Sequence, residues 1–211
     1  MPIFKIDAAA LCIAHNLIDV KSYNDETSFV FIEKYGANDV RMTGMDGHML
    51  ICFRLHYANQ SGLDFQPFGF RIDSAALKML KPKKDKTAFI NLAADDSGVE
   101  LEANGMTIKA EMTLHPFDVS AIWERVRRNV EKGCDFAPSV LPLKQLKICD
   151  FSGFFSGSTR PAFIKADSMT IVNFQGLPEH LEARGIVMQM SEGYKPEDYA
   201  ETFGEDVPGW C

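Results

Sequence analysis

Val99-Glu100-Leu101-Glu102-Ala103-Asn104-Gly105-Met106-Thr107-Ile108-Lys109-Ala110-Glu111-Met112 is the stretch that decides the fold class. Val99, Leu101 and Ala103 alternate up to Asn104-Gly105, and Met106, Ile108, Ala110 and Met112 alternate away from it. Asn-Gly suits a two-residue type I′ turn, in which both central residues need positive φ. Folding about that turn sets Ala103 opposite Met106, Leu101 opposite Ile108 and Val99 opposite Ala110, so one face of the hairpin is wholly apolar. An antiparallel sheet follows.

Working outward, Val40 to Phe53 shows the same device. Met45-Asp46-Gly47-His48-Met49-Leu50 places Asp-Gly between apolar runs, and predicts a second type I′ hairpin. Phe29-Val30-Phe31-Ile32 and Phe68-Gly69-Phe70-Arg71-Ile72 read as short strands by their aromatic and β-branched content. So do 161–165, 169–172 and 185–190. Asp7 caps a helix over 8–20 that is apolar on most sides, leaving His15, Asn16 and Asp19 for solvent. Asp73-Ser74 caps a second helix with Ala76, Leu77 and Leu80 inward, ended by Pro82. Asp118 opens a third, with Val119, Ile122, Trp123, Val126 and Val130 on one side and Gly133 as its stop. A shorter helix is expected near Leu141 to Leu146. Residues 192–211 are acidic and read as an exposed tail.

A weak repeat relates Phe70 to Leu80 (F-R-I-D-S-A-A-L-K-M-L) and Phe136 to Leu146 (F-A-P-S-V-L-P-L-K-Q-L), with Phe, Leu, Lys and Leu coinciding. Strands followed by helices and small antiparallel sheets make an α+β protein. The expected organisation is a domain over 1–113, a reduced second one over 114–191, and the tail.

The 211 residues, 46% of them hydrophobic, suffice for one large or two small domains. No run of about 18 apolar residues would cross a membrane, and the N-terminus lacks a signal-peptide pattern, so a cytoplasmic protein is expected. The five cysteines are odd in number and contain no CxxC pair, which argues against a disulfide framework and a structural zinc site. The net charge of −7, from 29 acidic and 22 basic residues, excludes a protein that grips nucleic acid over its whole surface. Any such role needs a local basic stripe.

Catalytic constellations are missing from the sequence. His15, His48, His56, His115 and His180 form no HExxH or HxH pair, and neither GxSxG nor GxxxxGK[ST] occurs. Asp46 with His48 could contribute to a metal site, but an ordinary hairpin turn accounts for both. Cys134 has no neighbour in sequence that would lower its pKa. No enzyme activity, cofactor or metal is expected. Basic residues are more suggestive: Lys78, Lys81, Lys83, Lys84 and Lys86 end the second helix. Arg125, Arg127 and Arg128 lie on the third, and Lys144 and Lys147 on the fourth. The first helix carries no Lys or Arg.

Strand, helix, the Met45-to-Leu50 hairpin, strand, Lys-bearing helix and Asn-Gly hairpin together resemble a domain of the bacterial beta sliding clamp, the ring-shaped processivity factor of the replicative polymerase. A T-D-G-H-R-L signature of that family is matched at Asp46, Gly47, His48 and Leu50, with Met45 and Met49 replacing Thr and Arg. Val187-Met188-Gln189-Met190 is similar to its closing V-M-P-M, with Gln189 in place of Pro. The resemblance implies clamp-like domains in which antiparallel sheets carry two helices on one face. It implies a non-catalytic tether for a polymerase or other clamp-binding proteins on double-stranded DNA. Lys78, Lys81, Lys83, Lys84, Arg125, Arg128, Lys144 and Lys147 would face the DNA. Gly47, His48, Met49 and Leu50 with Ile186, Met188 and Met190 would form a hydrophobic groove for partner peptides, where methionine suits several ligands. Family members carry three domains per chain and close as dimers, so a two-domain chain would need three copies for a six-domain ring. The alternative is a clamp-like interaction module without a ring, acting as a decoy or antagonist of clamp partners, phage-borne or otherwise mobile.

Overall fold

A computed structural model describes residues 3–36, 38–56, 65–84, 86–95, 98–114, 119–131, 147–155, 159–166 and 169–188. Residues 1–113 hold two successive units of the same plan, strand, helix, then a three-stranded meander. The first is β1 (Ile3–Asp7), α1 (Ala8–Leu17), the single turn α2 (Asp25–Ser28), β2 (Val30–Tyr35), β3 (Asp39–Met45) and β4 (Met49–His56). The second is β5 (Phe68–Arg71), α3 (Ser74–Leu80), β6 (Phe89–Asp95), β7 (Gly98–Ala103) and β8 (Met106–Thr113). Leading strands are exchanged between units: β1 pairs with β6, and β5 pairs with β2.

The repeat that matters lies inside this region. Phe4-Lys5-Ile6-Asp7-Ala8-Ala9-Ala10-Leu11 parallels Phe70-Arg71-Ile72-Asp73-Ser74-Ala75-Ala76-Leu77 at every position, by identity or close substitution. Phe4, Ile6, Phe70 and Ile72 are core residues in both copies. Asp7 accepts from the Ala10 amide at 2.9 Å and Asp73 from the Ala75 amide at 2.7 Å, so each caps its helix. The expected counterpart at Phe136 to Leu146 lies outside the described residues.

α4 (Val119–Glu131), β9 (Arg160–Ala166), β10 (Met169–Gln175) and β11 (Leu181–Met188) follow. β11 pairs with β4 from Leu181↔Leu55 to Val187↔Met49, so the last three strands extend the sheet begun by the first unit. The order is β1-β6-β7-β8-β5-β2-β3-β4-β11-β10-β9, with every pairing antiparallel.

Strand alternation sorts the core onto two faces. Met49, Ile51, Phe53 and Leu55 of β4, with Val172, Phe174, Leu181 and Ala183, pack against α1, α3 and the 147–155 segment. Leu50 and Cys52 of the same strand, with Met169, Ile171 and Ile186, pack against Val119 and Val126 of α4. α1 and α3 therefore lie on one face of the sheet and α4 on the other.

Local expectations fare unevenly. The Asn104-Gly105 hairpin has the predicted register, with φ of 53° and 75° at its centre. The Asp46-Gly47 hairpin also forms, but only Gly47 has positive φ, 87°, so the turn is not type I′. Instead the Asp46 carboxylate accepts from the amides of His48 at 3.0 Å and Met49 at 2.8 Å, which ties the turn together from its first residue. α1 stops at Leu17, and His15, expected at solvent, is buried because α1 is covered on nearly all sides. Val130 is 39% exposed rather than packed under α4. β1 and β6 are strands beyond those expected, although Ile90, Leu92 and Ala94 of β6 alternate as its buried positions. The expected start of α4 at Asp118 and the helix at 141–146 lie outside the described residues.

Candidate functional site

The lysines that follow Leu77 come together. Lys78 leaves α3 on its exposed side, Leu77 and Leu80 having taken the core, and the turn after Leu80 presents Lys81, Lys83, Lys84 and Lys86, all exposed. The Lys86 amide donates to the Lys83 carbonyl at 3.1 Å, which folds this loop back on itself. The 147–155 segment runs alongside. Lys81 Nζ lies 5.1 Å from the centre of the Phe154 ring, a cation–π distance. Asp150 titrates below the ordinary carboxylate range, held down by hydrogen bonds from Ser152 and then by the charge of Lys84. Lys147 is exposed at the start of this segment. Lys144 lies outside the described residues.

Arg125, Arg127 and Arg128 do not join this patch. They are exposed on α4, whose apolar side is seated on Leu50, Cys52 and Ile186 across the sheet from α3. A sheet stands between the two groups, so no single surface presents both. The basic stripe expected from the sequence is one face of lysines and, on the reverse, one helix of arginines.

Of the expected groove, Met49, Leu50 and Ile186 are buried. Met49 and Leu50 are neighbours on β4 and so point to opposite faces, where each is buried, Met49 in the α1 core and Leu50 under α4. Ile186 is buried beside Leu50. Gly47 and His48 remain exposed at the hairpin turn, next to the end of β11 where Val187 pairs with Met49. Met188 closes β11, and Met190 lies outside the described residues.

Burial pushes the thiols of Cys12 and Cys149 up to about 12 and that of Cys52 to about 11, so these three are core residues rather than nucleophiles. Among the described residues no three His, Cys, Asp or Glu side chains are placed to hold a metal ion. Cys134 and His115 lie outside them.

A second feature went unnoticed in the sequence. Between α4 and the sheet is an open cleft of about 700 Å³, lined by Tyr35, Arg41, Arg54, Trp123, Arg127 and Arg184 among others. The guanidinium groups of Arg41 and Arg54 lie 5.2 and 5.1 Å from the centre of the Tyr35 ring. Arg41 Nε donates to Glu33 at 2.7 Å, and Arg54 Nε to Asp39 at 2.7 Å. His56 stands between Asp39 at 3.3 Å and Glu182 at 3.2 Å. A signal was available: these side chains sit at alternate positions on β2, β3, β4 and β11, but which face they share depends on pairing that sequence does not state.

The fold is that of bacterial sliding clamps. The beta chain of DNA polymerase III from Streptococcus pneumoniae superposes with a TM-score of 0.56 at 10% identity, over 94% of this chain and 67% of that one. A sliding clamp from Bartonella birtlesii gives 0.52 at 10% identity, over 94% and 68%. The Helicobacter pylori beta clamp bound to a DNA ligase peptide gives 0.51 at 10% identity, over 92% and 68%. This chain thus spans about two thirds of the length of these clamps. No family model and no curated protein sequence matches it.

Proposed function

We propose that this chain is a non-catalytic clamp-like tether that touches double-stranded DNA through the α3 face and holds protein partners elsewhere on its surface. The observation that carries this reading is the conjunction of the sliding-clamp fold with Lys78, Lys81, Lys83, Lys84 and Lys147 gathered on the face that carries α3. An acidic body with one thin basic face contacts phosphates weakly and reversibly, which a tether that must slide requires. The Helicobacter pylori clamp holds a ligase peptide. For this chain the exposed Gly47-His48 turn, beside the end of β11, is the part of the expected groove still open to a partner.

A second reading, an interaction module without a ring, is favoured by α1, which is buried on nearly all sides and lines no surface, and by α4, which stands on the opposite face from α3. Light scattering across a concentration range separates the two. A stable trimer, retained on circular but lost from linear DNA, supports the ring. A monomer at all concentrations sinks the ring and leaves the module. DNA binding itself is tested by fluorescence anisotropy on a duplex at low salt. Lys78→Glu/Lys83→Glu/Lys84→Glu should lower affinity at least tenfold and flatten the salt dependence by about three charges' worth. An unchanged affinity would remove the α3 face from the proposal.

A further inference from the structure

The cleft beneath α4 lies across the sheet from the lysine face and is not used by the tether proposed above. Its walls are unusual for an acidic protein. Arg41 and Arg54 are engaged by Glu33, Asp39 and Glu182, whereas Arg127 and Arg184 are exposed and, among the described residues, make no ion pair. Glu124 and Glu182 are the acidic groups on the lining, and Glu182 is already shared between Arg54 and His56. Tyr35, 43% exposed, and the half-buried Trp123 supply aromatic surface between the arginines. The chemistry that fits is a peptide carrying carboxylates and aromatic rings, which would pair with the free guanidinium groups and stack on the two aromatic side chains.

Such a peptide is part of the chain. Residues 192–211 contain Glu192, Glu197, Asp198, Glu201, Glu205 and Asp206 against Lys195 alone, interleaved with Tyr194, Tyr199, Phe203 and Trp210. We infer that the cleft under α4 is the docking site of this acidic, aromatic segment, bound within the same molecule. Geometry permits it. β11 ends at Met188, and Arg184 lies four residues back along it, roughly 13 Å at a strand's rise per residue. Twenty residues can span up to about 66 Å, several times that distance. Tethering sets the effective concentration near the millimolar range, so a modest intrinsic affinity is enough to fill the cleft. An acidic peptide from a partner must then displace the tail, which makes the tail a competitor for the arginine-lined site.

The test uses the full chain with Cys134→Ser, so that Cys211 is the one thiol left besides Cys12, Cys52 and Cys149, which are buried with thiols pushed up to about 12, 11 and 12. A nitroxide on Cys211 should broaden the Trp123 indole resonance and the amides around Arg184 several-fold more than those of β7 and β8. The effect should not depend on protein concentration. It should vanish in Arg127→Glu/Arg184→Glu and in about 1 M salt, where the screening length falls to about 3 Å. The proposal is overturned if Trp123 is no more broadened than β7, or if charge reversal leaves the broadening in place. It is equally overturned if isotope-labelled chains without the nitroxide are broadened to the same degree when mixed with an excess of spin-labelled unlabelled ones, which would place the segment in the cleft of a second copy.

Discussion

Gly44 lies where β3 passes beneath α1, and a Cβ built there would overlap the carbonyl group of Ala14. α1 can sit so close to the sheet only because that side chain is missing. Gly44→Ala must therefore lift a fully packed helix, and should cost about 3 kcal/mol, read as a lowered urea midpoint with an unchanged slope. His15 on the same helix is 4% exposed, and its Nε2 accepts the Ile72 amide proton at 3.1 Å, a bond that needs the neutral ring. Burial pushes this imidazole below the ordinary histidine range. The unfolded chain takes up a proton near the ordinary value of about 6.5 while the folded ring still resists, so falling pH favours the unfolded state. The stability tied to this ring is full above that value and is lost as pH drops toward the folded one. Denaturation at about pH 7.5 and about pH 5.5, either side of that ordinary value, should show a smaller loss in His15→Gln than in the parent. An equal loss would assign the dependence to other groups. Asp7, 2% exposed, shows the same economy: one oxygen caps α1 and the other meets His180 Nε2 at 3.0 Å, tying the turn before β11 to the first unit.

Elements whose shape is set by neighbours in sequence formed as their residues dictate. Asn104 and Gly105 adopt positive φ because the short polar side chain of one and the missing Cβ of the other make it cheap, and the strand register follows from the turn. A Cβ on Gly105 would meet nothing within 4 Å, so Gly105→Ala tests backbone conformation alone. It should cost about 1 kcal/mol by chemical denaturation. The Asp46-Gly47 turn shares the dipeptide and not the turn type, because the carboxylate of Asp46 found two backbone amides to bind. α3 and α4 show an apolar side and a charged side, whereas α1 is apolar all round, and that pattern already marked it as an interior helix. The strands β1 and β6 escaped notice. β1 is five residues long, and its character comes from crossing to the other unit, which is a long-range fact.

At the scale of the molecule, the decisive arrangement is the placement of α4 on the face opposite α1 and α3. It predicts that basic residues behave as two groups. Arg125→Glu/Arg128→Glu should leave duplex affinity within about twofold of the parent, under 0.5 kcal/mol, while reversal of the α3 lysines lowers it. Anisotropy titrations of both variants in one buffer read the contrast directly. Equal losses would mean that DNA reaches both faces. The continuous core predicts a second outcome. Cys12, Cys52 and Cys149 lie in elements from both halves of the chain, so native protein should leave these three thiols unreactive toward an aromatic disulfide reagent, and denaturant should release them in one transition. Two separated transitions would show that the 1–113 region and the later strands unfold independently.

Local chemistry carried the α+β class, the Asn-Gly hairpin, the helix caps at Asp7 and Asp73, the buried character of α1 and the cluster of lysines after α3. Each of these depends on residues within one turn or one hairpin of each other, where spacing alone decides which side chains can meet. The eight-residue match between Phe4–Leu11 and Phe70–Leu77 was equally present in the sequence, and it encodes the twofold plan of the first region. Tertiary structure decided the rest. Alternation says that Met49 and Leu50 face opposite ways, but only the pairing of β11 with β4 and the seating of α4 bury both. The same pairing separates lysines from arginines and brings Tyr35, Arg41, Arg54 and Arg184 to one cleft. Residues far apart in the chain meet through hydrogen bonds between strand backbones, which every residue but proline can offer, so side-chain identity does not announce the partner.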